Sequence, residues 1–368
     1  PIRAAYTFEG THSDTYYDKN SIADALDFLD ITLKSGVSEL SIDDQVWHGR
    51  AACGLIGLAA TLVAFIALAL TLLKVPFFAT IKQPVVKSVS TITSVKDGVK
   101  YGIFYLIFLL PAPLLYYWLI GYPYYMKPQA FIFLTKFMPN KFFNMAPMNS
   151  LMLFNIVVVF TLLAKKAGCG FENTGLKTPV VQIGKSLLLA AVSFGLIYAV
   201  VYACAALSGT HFAFFKFNIM PMDGAHWIAF FKYLPIWLIF YILVNVIYNS
   251  LTRINNAPAW LNYLLIAVVS CGGLAVMFAY DYGKLFATGV RGIKYIPGTT
   301  STQWLSQIGM SFPTALAGIM LFSLLFILPI SAIMSRVCHK KTGNVWLGSF
   351  LTTFIVLVFT ISHMVTSM

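Results

Sequence analysis

Charge is what this sequence has least of. Asp, Glu, Lys and Arg make up 10% of its 368 residues, while hydrophobic residues make up 59%. Soluble domains carry about 25% charged residues, so this chain could not cover a water-facing surface of its size. Acidic residues are scarcer still beyond residue 50, where only Asp97, Glu172, Asp223 and Asp281 occur. Cysteine is equally sparse. The five cysteines show no CxxC or Cys/His ligand spacing, which argues against a disulfide framework or a zinc site. Cys338-His339 reads as a pair of surface residues. No phosphate-binding Gly-rich loop, nucleotide motif or haem pair is visible, so no cofactor is expected. A secretory signal and a clear internal repeat are also missing.

What the sequence has is long apolar runs. Eight are long enough to cross a bilayer, and none contains Lys, Arg, Asp or Glu: 51–73, 101–122, 145–164, 186–207, 234–251, 259–280, 312–335 and 345–364. In lipid every backbone polar group must be satisfied within the segment, which selects helices. Trp47, Trp118, Trp227, Trp260 and Trp346 lie at run ends, where amphipathic rings favour the headgroup level. The expected architecture is therefore an all-α polytopic membrane protein of about eight transmembrane helices, with the lipid bilayer as its partner.

Charge sign divides the chain. Residues 1–50 hold four basic and nine acidic residues, whereas 51–368 hold 21 basic and four acidic. The basic excess belongs to loops beside apolar helices, which points to topology and anionic lipid and away from nucleic acid. Thirteen of the 21 follow odd-numbered runs (Lys74 to Lys100, Lys165 to Lys185, Arg253, and Arg336 to Lys341). The positive-inside rule places those loops in the cytoplasm of a multi-pass cell-membrane protein. Both the first 50 residues and the C-terminus would then lie outside.

The first 50 residues carry their own order of elements. Ile2 to Phe8 is β-prone, and Glu9 to Asp14 is a turn-rich loop holding His12. Ser21-Ile22-Ala23-Asp24 matches a capping box, followed by Ile22, Ala25, Leu26, Leu29 and Leu33 at helical spacing. Lys34 and Gly36 suit a helix end. One strand and one helix cannot form a core alone, so this unit must pack on something further.

Strand, His loop and amphipathic helix together resemble the last βα unit of the α/β-hydrolase fold. Ser41 to Trp47, running into the Gly-rich start of the first span (Cys53 to Leu58), is similar to bacterial hydrolases whose catalytic domain precedes a multi-span membrane domain. The resemblance divides the chain into a hydrolase-like remnant (1–36), a linker (37–50) and a membrane domain (51–368). It implies that His12 is the triad base, following Ser and Asp/Glu in chain order. The ordinary alternative is a loop histidine. No G-x-S-x-G occurs in the 368 residues, so the nucleophile and the acidic partner would belong to a missing N-terminal hydrolase domain. The implied function is the membrane domain of a serine hydrolase acting on an ester or amide near the outer face. A transporter or channel, or a partner-binding membrane module, stands as the alternative.

A second candidate site lies between the fourth and fifth runs. His211 precedes an aromatic stretch that ends in Asp223 and His226, spaced i, i+3. An Asp/His pair at a membrane boundary can be functional, or it can be a helix cap with a first-turn histidine. Asn245 and Asn249, at i, i+4, suit bonds to neighbouring helices.

Overall fold

A computed structural model describes residues 18–33, 41, 43–109, 150, 153–158, 169–209, 212–214, 217–289 and 324–362. His12 and the β-prone run before it, His211, and most of the second and third apolar runs lie outside these residues, as does the start of the seventh. The described elements are α1 (Lys19–Leu33), α2 (Trp47–Leu72), the short α3 (Pro76–Ala79), α4 (Val95–Leu109) and α5 (Val180–Ser208). A hairpin of β1 (Phe212–Phe214) and β2 (Phe217–Ile219) follows. Next come α6 (Gly224–Val246), a π turn (Ile247–Leu251), α7 (Ala259–Thr288), α8 (Leu324–Thr342) and α9 (Trp346–Ile361).

Among the described residues four helices are long and apolar enough to cross a membrane: 47–72, 180–208, 224–251 and 259–288. They correspond to the first, fourth, fifth and sixth runs. The chain is thus a helical protein of membrane-spanning type. Helix α9 is a shorter apolar helix, and every residue from Leu347 to Ile361 is buried. A helix apolar on all sides is stable only when enclosed. Helices α5, α6 and α8 pack around α9, with α7 on α8 and α2 on α5. Phe194, Phe230 and Phe354 meet where α5, α6 and α9 converge, at centroid separations of 5.4–6.1 Å.

Several element boundaries depart from the sequence reading, each for a physical reason. Helix α6 starts ten residues before the apolar run at 234, because Lys232 interrupts the run without interrupting the helix. Lys232 is exposed, and its long stem can carry the charge away from the apolar surface. Helix α7 continues past the end of its apolar run at 280, through Asp281 to Lys284, and stops only at Gly289, whose φ of 70° caps it. Helix α2 begins at Trp47, within the stretch read as a linker.

Helix α1 also differs at its start. The cap is Asp18, whose carboxylate accepts the Ser21 N–H at 2.7 Å; the Ser21 hydroxyl caps nothing. Asp18 wins because it stands three residues ahead of Ser21 and brings a charged acceptor to the free N–H groups of the first turn. Gln45 donates to Lys19 O at 2.9 Å, and Lys19 pairs with Asp43 at 3.8 Å, so α1 is tied to the start of α2. Leu26, Leu29 and Leu33, the face expected to be covered, are exposed.

The hairpin lies against α2. A Cβ on Gly54 would stand 2.3 Å from Ala213 O and one on Gly57 2.6 Å from the Phe212 ring, which explains these two glycines: the strand occupies the space of their side chains.

Candidate functional sites at the two ends of the bundle

Up-and-down helices bring alternate loops together, and the two ends they form are chemically different. At the hairpin end, Asp223 is the N-cap of α6 and accepts the His226 N–H at 2.9 Å. His226 Nδ1 lies 2.7 Å from the same carboxylate oxygen. These hydrogen bonds, the backbone one first, hold the Asp223 carboxyl below its ordinary value. Asp223 is exposed. The pair therefore ties the first turn of α6 together, and its exposed oxygen leaves one face toward solvent. Tyrosines anchor the chain nearby. Tyr198 donates to Met220 O at 2.6 Å, Tyr202 donates to Met222 O, and Trp227 Nε1 donates to Tyr202 at 3.3 Å. Met220 N reaches Ser362 Oγ at 3.3 Å, which joins this end to the last turn of α9.

The opposite end is closed by a polar strap, residues 81–93, which follows α3. Gln83 N donates to Thr342 O at 2.7 Å, and Asn344 Nδ2 donates to Ile81 O at 3.1 Å. Val89 N donates to Ser250 O at 3.1 Å. Ser90 pairs in parallel with Ile254. A Cβ on Gly343, whose φ is 71°, would stand 2.2 Å from Gln83 O, so only glycine fits this turn beneath the strap.

The strap solves a specific problem. A helix end leaves carbonyls without intrahelical partners, and the π turn 247–251 disturbs the pattern further. Ser250 O takes the Ser88 hydroxyl at 2.7 Å as well as Val89 N, and Leu251 O takes the Ser90 hydroxyl at 2.6 Å. Thr252 O takes Tyr105 Oη at 2.5 Å, and Arg253 O takes Ser88 at 2.6 Å. Each carbonyl left buried and unpaired would cost about 1–3 kcal/mol. Asn255 closes the seam: it accepts Ser88 N at 2.9 Å and donates to Ser88 O at 2.7 Å, and to Ser90 O and Thr91 Oγ1 at 3.0 Å.

From this end a line of polar side chains runs into the bundle. Asn249 Nδ2 donates to Ser335 Oγ at 2.9 Å and Asn245 Nδ2 to Ser349 Oγ at 3.1 Å, joining α6 to α8 and α9. Arg336 Nη1 donates to Asn249 Oδ1 at 3.3 Å. Cys338 and His339 are both buried, not the surface pair expected from their loop-like sequence, because the strap and α9 cover the last turn of α8. Arg253, half-buried, donates to Val86 O, and burial pulls its guanidinium below its ordinary value. Sequence reasoning counts Arg253 and Arg336 only as topology charges. Their one further signal is position: Arg336 directly follows an apolar run and Arg253 stands two residues past one. Among the described residues no group of three His, Cys, Asp or Glu side chains is placed to hold a metal ion.

Comparison with protein-family models, with curated proteins and with solved structures finds no match for this chain. The functional reading therefore rests on the chain itself.

Proposed function

We propose that this chain is the membrane domain of a serine hydrolase. In this reading eight spans cross the cell membrane, the strapped basic end faces the cytoplasm, and the hairpin end with α1 faces outward. The substrate is an ester or amide near the outer membrane face, and His12 is the triad base. The nucleophile belongs to a segment outside these 368 residues, since no G-x-S-x-G occurs in them.

The observation that carries the proposal is α1. It is an amphipathic helix fixed to the start of α2 at the hairpin end, yet Leu26, Leu29 and Leu33 stand exposed. A row of leucines at helical spacing is a face built to be covered, as the terminal helix of a larger α/β domain would be. The hydrolase assignment itself comes from the resemblance of residues 1–47. A transport path receives less support, because the buried amides of Asn245 and Asn249 are bonded to neighbouring helices and line no described channel.

The test uses the full-length gene product. Covalent labelling by a fluorophosphonate probe, abolished by His12→Ala while the protein remains folded in detergent, is the expected result. An upstream coding sequence without a G-x-S-x-G would sink the proposal, as would labelling indifferent to His12.

A further inference from the structure

Among the described residues, the strapped end buries positive charge without a counter-ion. Arg336 is 9% exposed, and its one hydrogen bond to a described residue goes to Asn249. A guanidinium carries five N–H donors, so most of its capacity is unused. Arg253 uses Nη2 on Val86 O, but its Nε is buried and unpartnered. His339 is 1% exposed, and neither ring nitrogen has a partner among the described residues. Ser250 Oγ, at the same end, is also buried and unpartnered. The groups converge: Arg336 and His339 lie one turn apart on α8, and Arg336 reaches Asn249, which neighbours Ser250 on the π turn that leads into Arg253.

No carboxylate among the described residues answers them. Among the described residues the ion pairs are Lys19–Asp43 and His226–Asp223, both remote from this end. Glu172 sits on a short turn against the π segment, but it is exposed and pairs with neither arginine within 4 Å. Asp97 is occupied by Thr93 and Ser94. Uncompensated buried charge costs several kcal/mol per ion in a folded protein, and a bound anion removes that cost. Two guanidinium forks, an imidazole and a hydroxyl match the several oxygens of one phosphate group, which Arg binds in bidentate fashion.

We infer that Arg253, Arg336, His339 and Ser250 form a binding site for a phosphate group at the strapped end of the bundle. Two sources share that chemistry: the headgroup of an anionic phospholipid and a soluble phosphate. Basic pockets between membrane helices at a positively charged face suit the first. Lys340 and Lys341 lie exposed beside the site but outside it, so they serve as the control for unspecific charge.

The test titrates the full chain in maltoside micelles at constant ionic strength. One arm adds inorganic phosphate and the other phosphatidylglycerol, with native mass spectrometry and the melting midpoint as readouts. Saturable binding of one ligand per chain is expected, weakened at least tenfold by Arg253→Gln and by Arg336→Gln. The Lys340→Gln/Lys341→Gln double variant should stay within twofold of wild type. Binding in the phosphate arm identifies a soluble ligand; binding only in the lipid arm identifies a headgroup. If Arg336→Gln does not fold, Arg253→Lys decides: it keeps the charge, loses the fork, and should weaken binding severalfold. No saturable binding in either arm overturns the inference. So does equal weakening by the lysine pair, or unchanged affinity in both Arg253 variants.

Discussion

The two ends of this bundle close their helices in opposite ways. At the strapped end a continuous stretch of chain threads across the ends of α6 and α8: its serines donate to carbonyls at the end of the π turn, and Asn255 and Asn344 donate to carbonyls of the stretch itself. At the hairpin end the work falls to single tyrosine hydroxyls and to a two-stranded ribbon lying on α2. The first arrangement is cross-linked, so a displaced group strains several others. The second is a set of separate contacts. The comparison teaches that equal close approaches need not carry equal cost.

The sharpest way to break that comparison is a pair of glycines. Gly343 and Gly54 each face a backbone carbonyl at 2.2–2.3 Å from a would-be Cβ, Gln83 O and Ala213 O respectively. Gly343→Ala meets a laced strap and also a positive φ, for an expected loss of about 3 kcal/mol or more. Gly54→Ala meets a short hairpin free to lift, for about 1 kcal/mol. Reversible unfolding in mixed micelles measures both; equal losses would erase the distinction between the ends.

Next in size, Asn255→Ala removes four strap hydrogen bonds and should cost about 2 kcal/mol. Its counterpart at the hairpin end, Tyr198→Phe, removes one bond to Met220 O, for about 1 kcal/mol. Hydrogen exchange should add that Asn255→Ala exposes the amides of Gln83 and Val89 together, whereas Tyr198→Phe loosens only its own neighbourhood. Separate opening of Gln83 and Val89 would show that the strap is not one unit.

The smallest effect is expected at Asp223. Its carboxyl is held below the ordinary value by the His226 backbone N–H and then the ring, so the native state favours the charged form. That contribution is fully present above the unfolded-state carboxylate value, near 3.8, and is lost as pH falls through the lower native value. Asp223→Ala should therefore lower the melting temperature slightly at neutral pH, with the difference from wild type shrinking below about pH 4. A difference that grows on acidification would contradict the assignment.

How much of this was legible in the sequence follows from which forces leave a pattern. Apolar runs mark helices α5 and α7 and the greater part of α2 and α6, because burial in lipid needs long uncharged stretches. The start of α6 is hidden by Lys232, since a run counted by charge stops where a snorkelling stem does not. The strap leaves no periodic signal at all. Its serines and threonines look like an ordinary polar loop, and only the carbonyls at the end of the π turn give the serines a purpose. Cys338 and His339 are misread for the same reason, because what covers them is distant in sequence. Asp223 and His226 are visible as an i, i+3 pair, and the structure places them as cap and first turn. His12 and His211 lie outside the described residues.

In the proposed orientation the bundle spans the membrane with its strapped end inside and its hairpin end outside. Single cysteines in a cysteine-free background test it most directly, read by a membrane-impermeant maleimide on intact and on permeabilised cells. Ser208→Cys should label in intact cells, and Lys340→Cys only after permeabilisation. Labelling of both from the same side would contradict a bundle whose two ends lie across a bilayer.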